Sequence, residues 1–318
     1  MVPDTRAPVV SQMLWYKTGA ADDPPGLSGM AHFFEHMMFR GTRAFPGDGF
    51  SRAVTRSGGE DNAFTTPDAT VFFERVGRDK LRFAMHLEAD RMRNLNLSDD
   101  AVATERSVVL AERRERVDGD PEAMAEEQAR AALHLSHPYG RPVIGWADEI
   151  RRIGRIEATD YYRRHFAPNN AILVVAGDVS PAEVRSMAEA EYGPLPAREM
   201  VTHIDYAQPP RLGETRLTLA LRSARVPEFL RLYRVQSYAE AAPGRAEALA
   251  VLAELLGGDS ASALYRKLVL ERRLATDVTV AYDGYARDAG EFSIRARPRP
   301  GVPLAAYLPI QNRLKMTP

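Results

Sequence analysis

Residues 62–76, NAFTTPDATVFFERV, constrain the fold more than any other stretch. Their β-branched and aromatic residues are interrupted only around Pro67, so the run reads as a strand pair. A helical pattern follows directly over 77–94. A second long helix runs from Ser98 to about Val117, with Ser98, Asp99 and Asp100 forming a strong N-terminal cap. Upstream, 7–20 is strand-like, 22–29 is a turn cluster, and Ser28 can cap a helix over 29–40 that Gly41 closes. Downstream, a helix is expected from Pro121 to about Leu135. A buried strand at 169–180 then leads into a helix with proline in its first turn. Strands and helices occurring together in this way define an α+β chain.

The length of 318 residues suits about two domains, on a prior of roughly 100–200 residues each. Prolines and polar residues around 194–210 mark a linker, which divides the chain into 1–205 and 206–318. In the second part, 214–223 alternates like a strand and 244–258 is an amphipathic helix. The α+β character therefore repeats, in a shorter domain whose C-terminal residues 309–318 show no convincing element. The formal net charge of −1 gives no global field to recruit nucleic acid or an anionic membrane. The basic run at 294–300, IRARPRP, is short and proline-broken and reads as a solvated segment. No apolar run reaches about 18 residues, so no membrane span is expected. The N-terminus shows no signal-peptide pattern.

There are no cysteines, so thiol catalysis and cysteine-ligated zinc are excluded, and any metal must use His, Asp or Glu. Within the 29–42 stretch, His32 and His36 are four residues apart, with Glu35 between them. On a helix, both imidazoles share one face and can converge on one ion. Glu35 lies beside them, placed to accept a proton from an attacking water. The same pattern also fits an amphipathic helix carrying two packed histidines, so a third ligand is needed. Glu105 and Glu112 are two helical turns apart and face the same way, with Val108, Val109 and Leu110 between them. Glu115, Glu126 and Glu127 read as solvated helix charges. His86, His134, His137, His165 and His203 lack motif partners.

These residues and their surroundings resemble a known family. GLSGMAHFFEHMMFRGT, GGEDNAFTTPDAT, TERSVVLAERRERVDGDP, HPYGRPVIG and FAPNNAILVVAGDVSP occur in order across about the first 200 residues. They are similar to the pitrilysin, insulysin and mitochondrial processing peptidase family of zinc metallopeptidases, which carry the inverted His-x-x-Glu-His motif. The resemblance implies two homologous α/β-sandwich domains, the second expected to be truncated. It implies one Zn²⁺ per chain, held by His32, His36 and Glu112, with Glu35 as general base. Glu105 matches an additional glutamate that orients a ligand or tunes the site's charge. Asn62, Ala63, Phe64 and Thr65 match an edge strand on which an extended peptide substrate binds.

The resemblance also carries expectations about partners. Family members pair homologous domains to enclose a chamber, and their second domain often supplies an Arg and, seven residues on, a Tyr. In LYRKLVLERRLATDV those places fall on Val269 and Thr276, neither able to supply what an oxyanion needs. The expected enzyme is a zinc endopeptidase completed by a homologous metal-less subunit, or a homodimer. The alternatives are a non-catalytic structural subunit or an inactive truncated homologue. Bacterial relatives are often periplasmic, which gives the compartment a lean and no more.

Overall fold

The computed structural model describes residues 1–199, 204–221, 223–224 and 226–304. His203 and the 309–318 stretch lie outside them. The chain forms two compact units, and they interleave. One comprises 1–115 with 136–207, and the other comprises 116–135 with 208–318. A single cut at 205 assigned 116–135 to the first part, whereas its contacts group it with the second.

The chain begins with β1 (Val2–Pro3) and β2 (Val9–Tyr16), then α1 (Met30–Met37) and α2 (Gly49–Arg56). The strand pair is present as β3 (Glu60–Thr65) and β4 (Thr70–Gly77), followed by α3 (Leu81–Asn94) and α4 (Asp99–Arg113). As expected, Ser98 caps α4, accepting from the Ala101 amide. The helix gives way earlier than Val117, to a π-helical turn at Arg114–Asp118. Then comes α5 (Pro121–Leu133), which belongs to the second unit. The chain returns with α6 (Ala147–Ile150), α7 (Arg155–His165), β5 (Ala171–Gly177) and α8 (Pro181–Tyr192).

The first unit's sheet has the order β1-β5-β2-β4-β3, so β3 lies at an edge. Alternation along β2 sends Val10, Gln12, Leu14 and Tyr16 to the helix-covered face. There, Tyr16 and Phe72 meet Met30, Phe33, Phe34 and Met37 of α1, together with Tyr161, Tyr162 and Phe166. Positions 30, 33, 34 and 37 recur at helical spacing, so α1 turns one apolar stripe to the core and leaves another face for polar residues.

The second unit continues with β6 (Phe229–Val235), α9 (Arg245–Gly257) and α10 (Ala263–Tyr265), which widens into a π-helical stretch at Arg266–Glu271. It ends in the hairpin β7 (Ala275–Asp283) and β8 (Gly290–Pro298). The order β6-β8-β7 repeats β2-β4-β3, and β6-α9-α10-β7-β8 repeats β2-α1-α2-β3-β4 element for element.

The described residues of 214–223 form no strand, and Leu217 and Leu219 are exposed. Alternation alone does not make a strand without a ladder. Among the described residues of this unit, no strand takes the place that β5 holds beside β2. The basic run at 294–300 is not a solvated segment, since it falls largely within β8, the central strand of its sheet. Ile294 and Ala296 are buried, Arg295 pairs with Glu126 and Glu228, and Arg297 pairs with Glu122. Glu126 is thus an ion-pair partner, not only a solvated charge. Val269 is buried in the core of this unit, and the Thr276 hydroxyl donates to the Arg297 carbonyl (3.2 Å).

Candidate metal centre

Two helices build the site. Gly29 starts α1 with φ 89°, and a Cβ there would lie 2.4 Å from the Ile144 carbonyl oxygen. Only glycine meets both demands. The helix start is held by the buried Asp23, whose carboxylate accepts from the Gly29 amide (2.7 Å) and the Ala31 amide (2.8 Å). Ser28, expected as the cap, instead accepts from the Trp146 amide (2.9 Å). The helix closes at Met37, earlier than Arg40, and tighter turns lead to Gly41.

On α4, Val102, Glu105, Val109 and Glu112 recur at helical spacing along one side. Val102 and Val109 enter the core shared with α1. Burying those valines fixes the rotation of α4 and directs both glutamates at α1. His36 Nε2 lies 3.1 Å from Glu112 Oε2, and His32 Nε2 lies 3.8 Å from the same oxygen. One donor atom each of His32, His36 and Glu112 falls within 4.8 Å of the others. Tetrahedral zinc with bonds near 2.0–2.1 Å separates its ligand atoms by about 3.3 Å, so this spacing suits a zinc ion after small adjustments. Two imidazoles and one carboxylate match the protein donor set of a catalytic zinc site.

Glu105 supports this centre from behind. Its Oε1 is 2.9 Å from His36 Nδ1, which directs Nε2 toward Glu112. Its Oε2 accepts from Arg40 Nε. Glu105 is nearly inaccessible, so these two partners are what make a buried carboxylate tolerable. Burial alone would raise its pKa, but the bonds from His36 and Arg40 outweigh it and hold the carboxyl below its ordinary range. Burial likewise pulls the His36 imidazolium down, yet Glu105, Glu112 and Glu35 together leave it above its ordinary value.

Glu35 is half-buried beside the histidines, and Thr65 Oγ1 donates to its Oε2 (2.6 Å). β3 therefore runs next to the centre, but its four expected substrate-binding residues do not point the same way. Ala63 packs against the core on the α1 side, whereas Phe64 contacts Trp15 and Phe73, on the opposite face. The Thr66 amide donates to the Ala69 carbonyl, so ladder alternation directs the backbone groups of Ala63 and Thr65 to the outer edge. The Asn62 carboxamide accepts from that outward Ala63 amide (2.8 Å).

Arg40 and Asp23 went unremarked in the sequence because each acts on a backbone or on another side chain, leaving no motif. Three of the other histidines have structural partners. His165 meets Thr18 (2.9 Å), His86 meets Glu191 (3.0 Å), and His137 accepts from the Tyr139 amide (3.2 Å).

Residues 2–146 match the profile described as insulinase (peptidase family M16), and residues 152–315 match the M16 inactive domain. The chain belongs to the M16 peptidase family. It is 33% identical over 298 residues to an uncharacterized zinc protease of Mycobacterium leprae, covering 91% of this chain and 64% of that protein. It is 27% identical over 183 residues to the β subunit of the mitochondrial processing peptidase of Blastocladiella emersonii, covering 58% and 39% respectively. The crystal structure of a protease from Helicobacter pylori superposes with a TM-score of 0.89 at 27% identity, covering 98% of this chain and 75% of that one.

Proposed function

We propose that this chain is a zinc-dependent endopeptidase acting on extended peptides or unfolded segments, with Glu35 as general base. One observation carries the reading: His32, His36 and Glu112 bring donor atoms together with Glu35 alongside and Glu105 fixing one imidazole. His32, His36 and Glu112 would hold the metal. When bound, zinc supplies Lewis acidity, polarising a peptide carbonyl and acidifying a water. The Glu35 carboxylate takes the proton from the attacking water and returns it to the leaving amine, as a positioned base of this kind does. Glu105 and Arg40 keep His36 in the tautomer and orientation a ligand needs.

The exposed edge of β3 supports an extended substrate. The outward-facing Ala63 carbonyl and the Thr65 amide and carbonyl can pair with a peptide backbone, a mode that reads extension more than side chains. Phe64 contributes to this through its backbone, since its ring lies on the other face.

A homologous subunit completes the enzyme in this reading. Val269 is a core residue and Thr276 spends its hydroxyl on a backbone carbonyl, so neither position offers a free donor for an oxyanion. Similarity to one subunit of a two-subunit peptidase supports the arrangement. Among the described residues, no helix is long and apolar enough to cross a membrane.

The test is metal analysis together with cleavage of an unfolded-peptide library, for the chain alone and mixed with a metal-less homologue. Glu35→Gln is expected to retain one zinc and lose turnover by about 10²–10⁴-fold. Near-normal turnover in Glu35→Gln would remove Glu35 from the mechanism. Full activity of the isolated chain would remove the partner.

A further inference from the structure

We propose that Thr65 is a positioning residue for the general base: its hydroxyl fixes the Glu35 carboxylate, tying the base to the strand on which the peptide lies. This deepens the peptidase reading and rests on it. Thr65 Oγ1 donates to Glu35 Oε2 at 2.6 Å, a short bond of the charge-assisted kind. The two residues come from different elements, α1 and the last position of β3. A glutamate on a helix surface has three side-chain torsions and no intrinsic reason to keep its carboxylate aimed at one point. A threonine on a strand is the opposite, since its branched Cβ restricts χ1 and its hydroxyl is carried rigidly by the sheet. The bond thus transfers the rigidity of β4 and β3 to a flexible base.

The register gives Thr65 a second property. Its side chain points to α1, while its backbone amide and carbonyl face the free outer edge. One residue therefore offers hydrogen bonds to an added peptide strand and holds the group that acts on that strand. The separation between the peptide's backbone and the base is fixed through a single residue. Misplacing a reacting group by about 1 Å costs on the order of 100-fold in rate, so such a mount carries kinetic weight.

This separates Thr65 from its strand neighbours. Asn62 bonds within the strand and Phe64 packs on the opposite face, and neither side chain is bonded to Glu35 among the contacts described. A role for the Thr65 side chain in gripping substrate is a different arrangement, because its hydroxyl hydrogen is already committed to Glu35.

The experiment compares Thr65→Val and Thr65→Ser with the unaltered chain and Glu35→Gln, using the peptide library with and without the homologous subunit. Valine keeps the branched shape and strand preference but loses the donor, and serine keeps the donor. Expected for Thr65→Val is a fall in kcat of about 10–100-fold with KM within about twofold, and recovery of most of kcat in Thr65→Ser. Zinc stoichiometry and affinity, measured by metal analysis and chelator competition, are expected to match the unaltered chain in both variants. Unchanged kcat in Thr65→Val while Glu35→Gln is inactive would overturn the proposal and leave the peptidase reading standing. So would a rise in KM alone, or loss of zinc or of cooperative unfolding in Thr65→Val. Turnover by Glu35→Gln, or no hydrolysis by the unaltered chain in either mixture, would overturn the peptidase reading itself and this proposal with it.

Discussion

Replacing Arg91 with methionine should strongly destabilise the first unit, and the size of the effect follows from what surrounds the guanidinium. Arg91 is 1% exposed, between the carboxylates of Glu74 and Glu88, with Gln12 completing the cluster. Its guanidinium carbon sits 4.0 Å from the ring centroid of Phe50, 4.4 Å from that of Phe72 and 5.1 Å from that of Phe39. One cation therefore serves two buried anions and three aromatic faces. Burial and the neighbouring Glu88 push the Glu74 carboxyl well above the carboxylate range, and Arg91 opposes that rise. Removing one partner of a buried pair costs about 3–5 kcal/mol, and losing a desolvated cation–π contact about 2 more. Methionine refills much of the volume, which limits the total. We expect a loss of about 4 kcal/mol near pH 8, against a usual domain stability of about 5–15 kcal/mol. Losing Arg91 raises the Glu74 carboxyl further above its unfolded value. Stability is therefore retained at low pH and lost as pH rises, and the deficit should shrink toward pH 5. Urea unfolding followed by tryptophan fluorescence reads this directly, because Trp15 and Trp146, the only tryptophans, both lie in the first unit. A loss under about 1 kcal/mol, or the same deficit at pH 5 and pH 8, would refute the account.

Three further outcomes follow. Glu105→Gln should lower zinc affinity by about 10–100-fold while leaving the ligand set intact, measured by chelator competition. Unaltered affinity would mean that the His36 orientation does not depend on Glu105. Burial pushes His165 down to about 4 from 6.5, so its contribution is present above pH 6.5 and is lost as pH falls through 4. That gap corresponds to about 3 kcal/mol, and acid unfolding of His165→Gln should lack this part of the slope. Arg273 has φ 51°, in the left-handed region that glycine favours, so Arg273→Gly should stabilise the second unit by about 0.5–1 kcal/mol. A lower thermal midpoint in that variant would contradict it.

The sequence was most readable where a single element's pattern carries the chemistry. His32 and His36 are related by one helical turn, and Glu105 and Glu112 by two, so each pair's shared face follows from helix geometry alone. The pairing of those two helices is not local, and only the distant match of ordered motifs indicated it. β3 and β4 were legible because hairpin partners adjoin in the chain. β6, β7 and β8 were not assigned, and the arginines that made β8 look like a solvated run are balanced by glutamates of α5, some 170 positions earlier. The strand expected at 214–223 fails for the converse reason: its alternation is real, but a ladder requires a neighbour. The Ser28 assignment illustrates a nearer ambiguity. Both Ser28 and Asp23 are competent cap residues, and the turn geometry brings the aspartate to the amides while the serine bonds to Trp146.

The excursion of residues 116–135 makes the two units harder to part than the proline-rich segment near 200 implies. α5 leaves the first unit, packs on β6 and pairs through Glu122, Glu126 and Arg130 with β8, and the chain then returns. The polypeptide therefore passes between the units three times. A protease nick near 205 would leave the larger fragment still holding a helix whose contacts lie in the smaller fragment. The pieces should stay together until denaturant separates them. A recombinant fragment ending there would carry α5 as an orphan, its partner strands missing and the face that packs on β6 open to other chains.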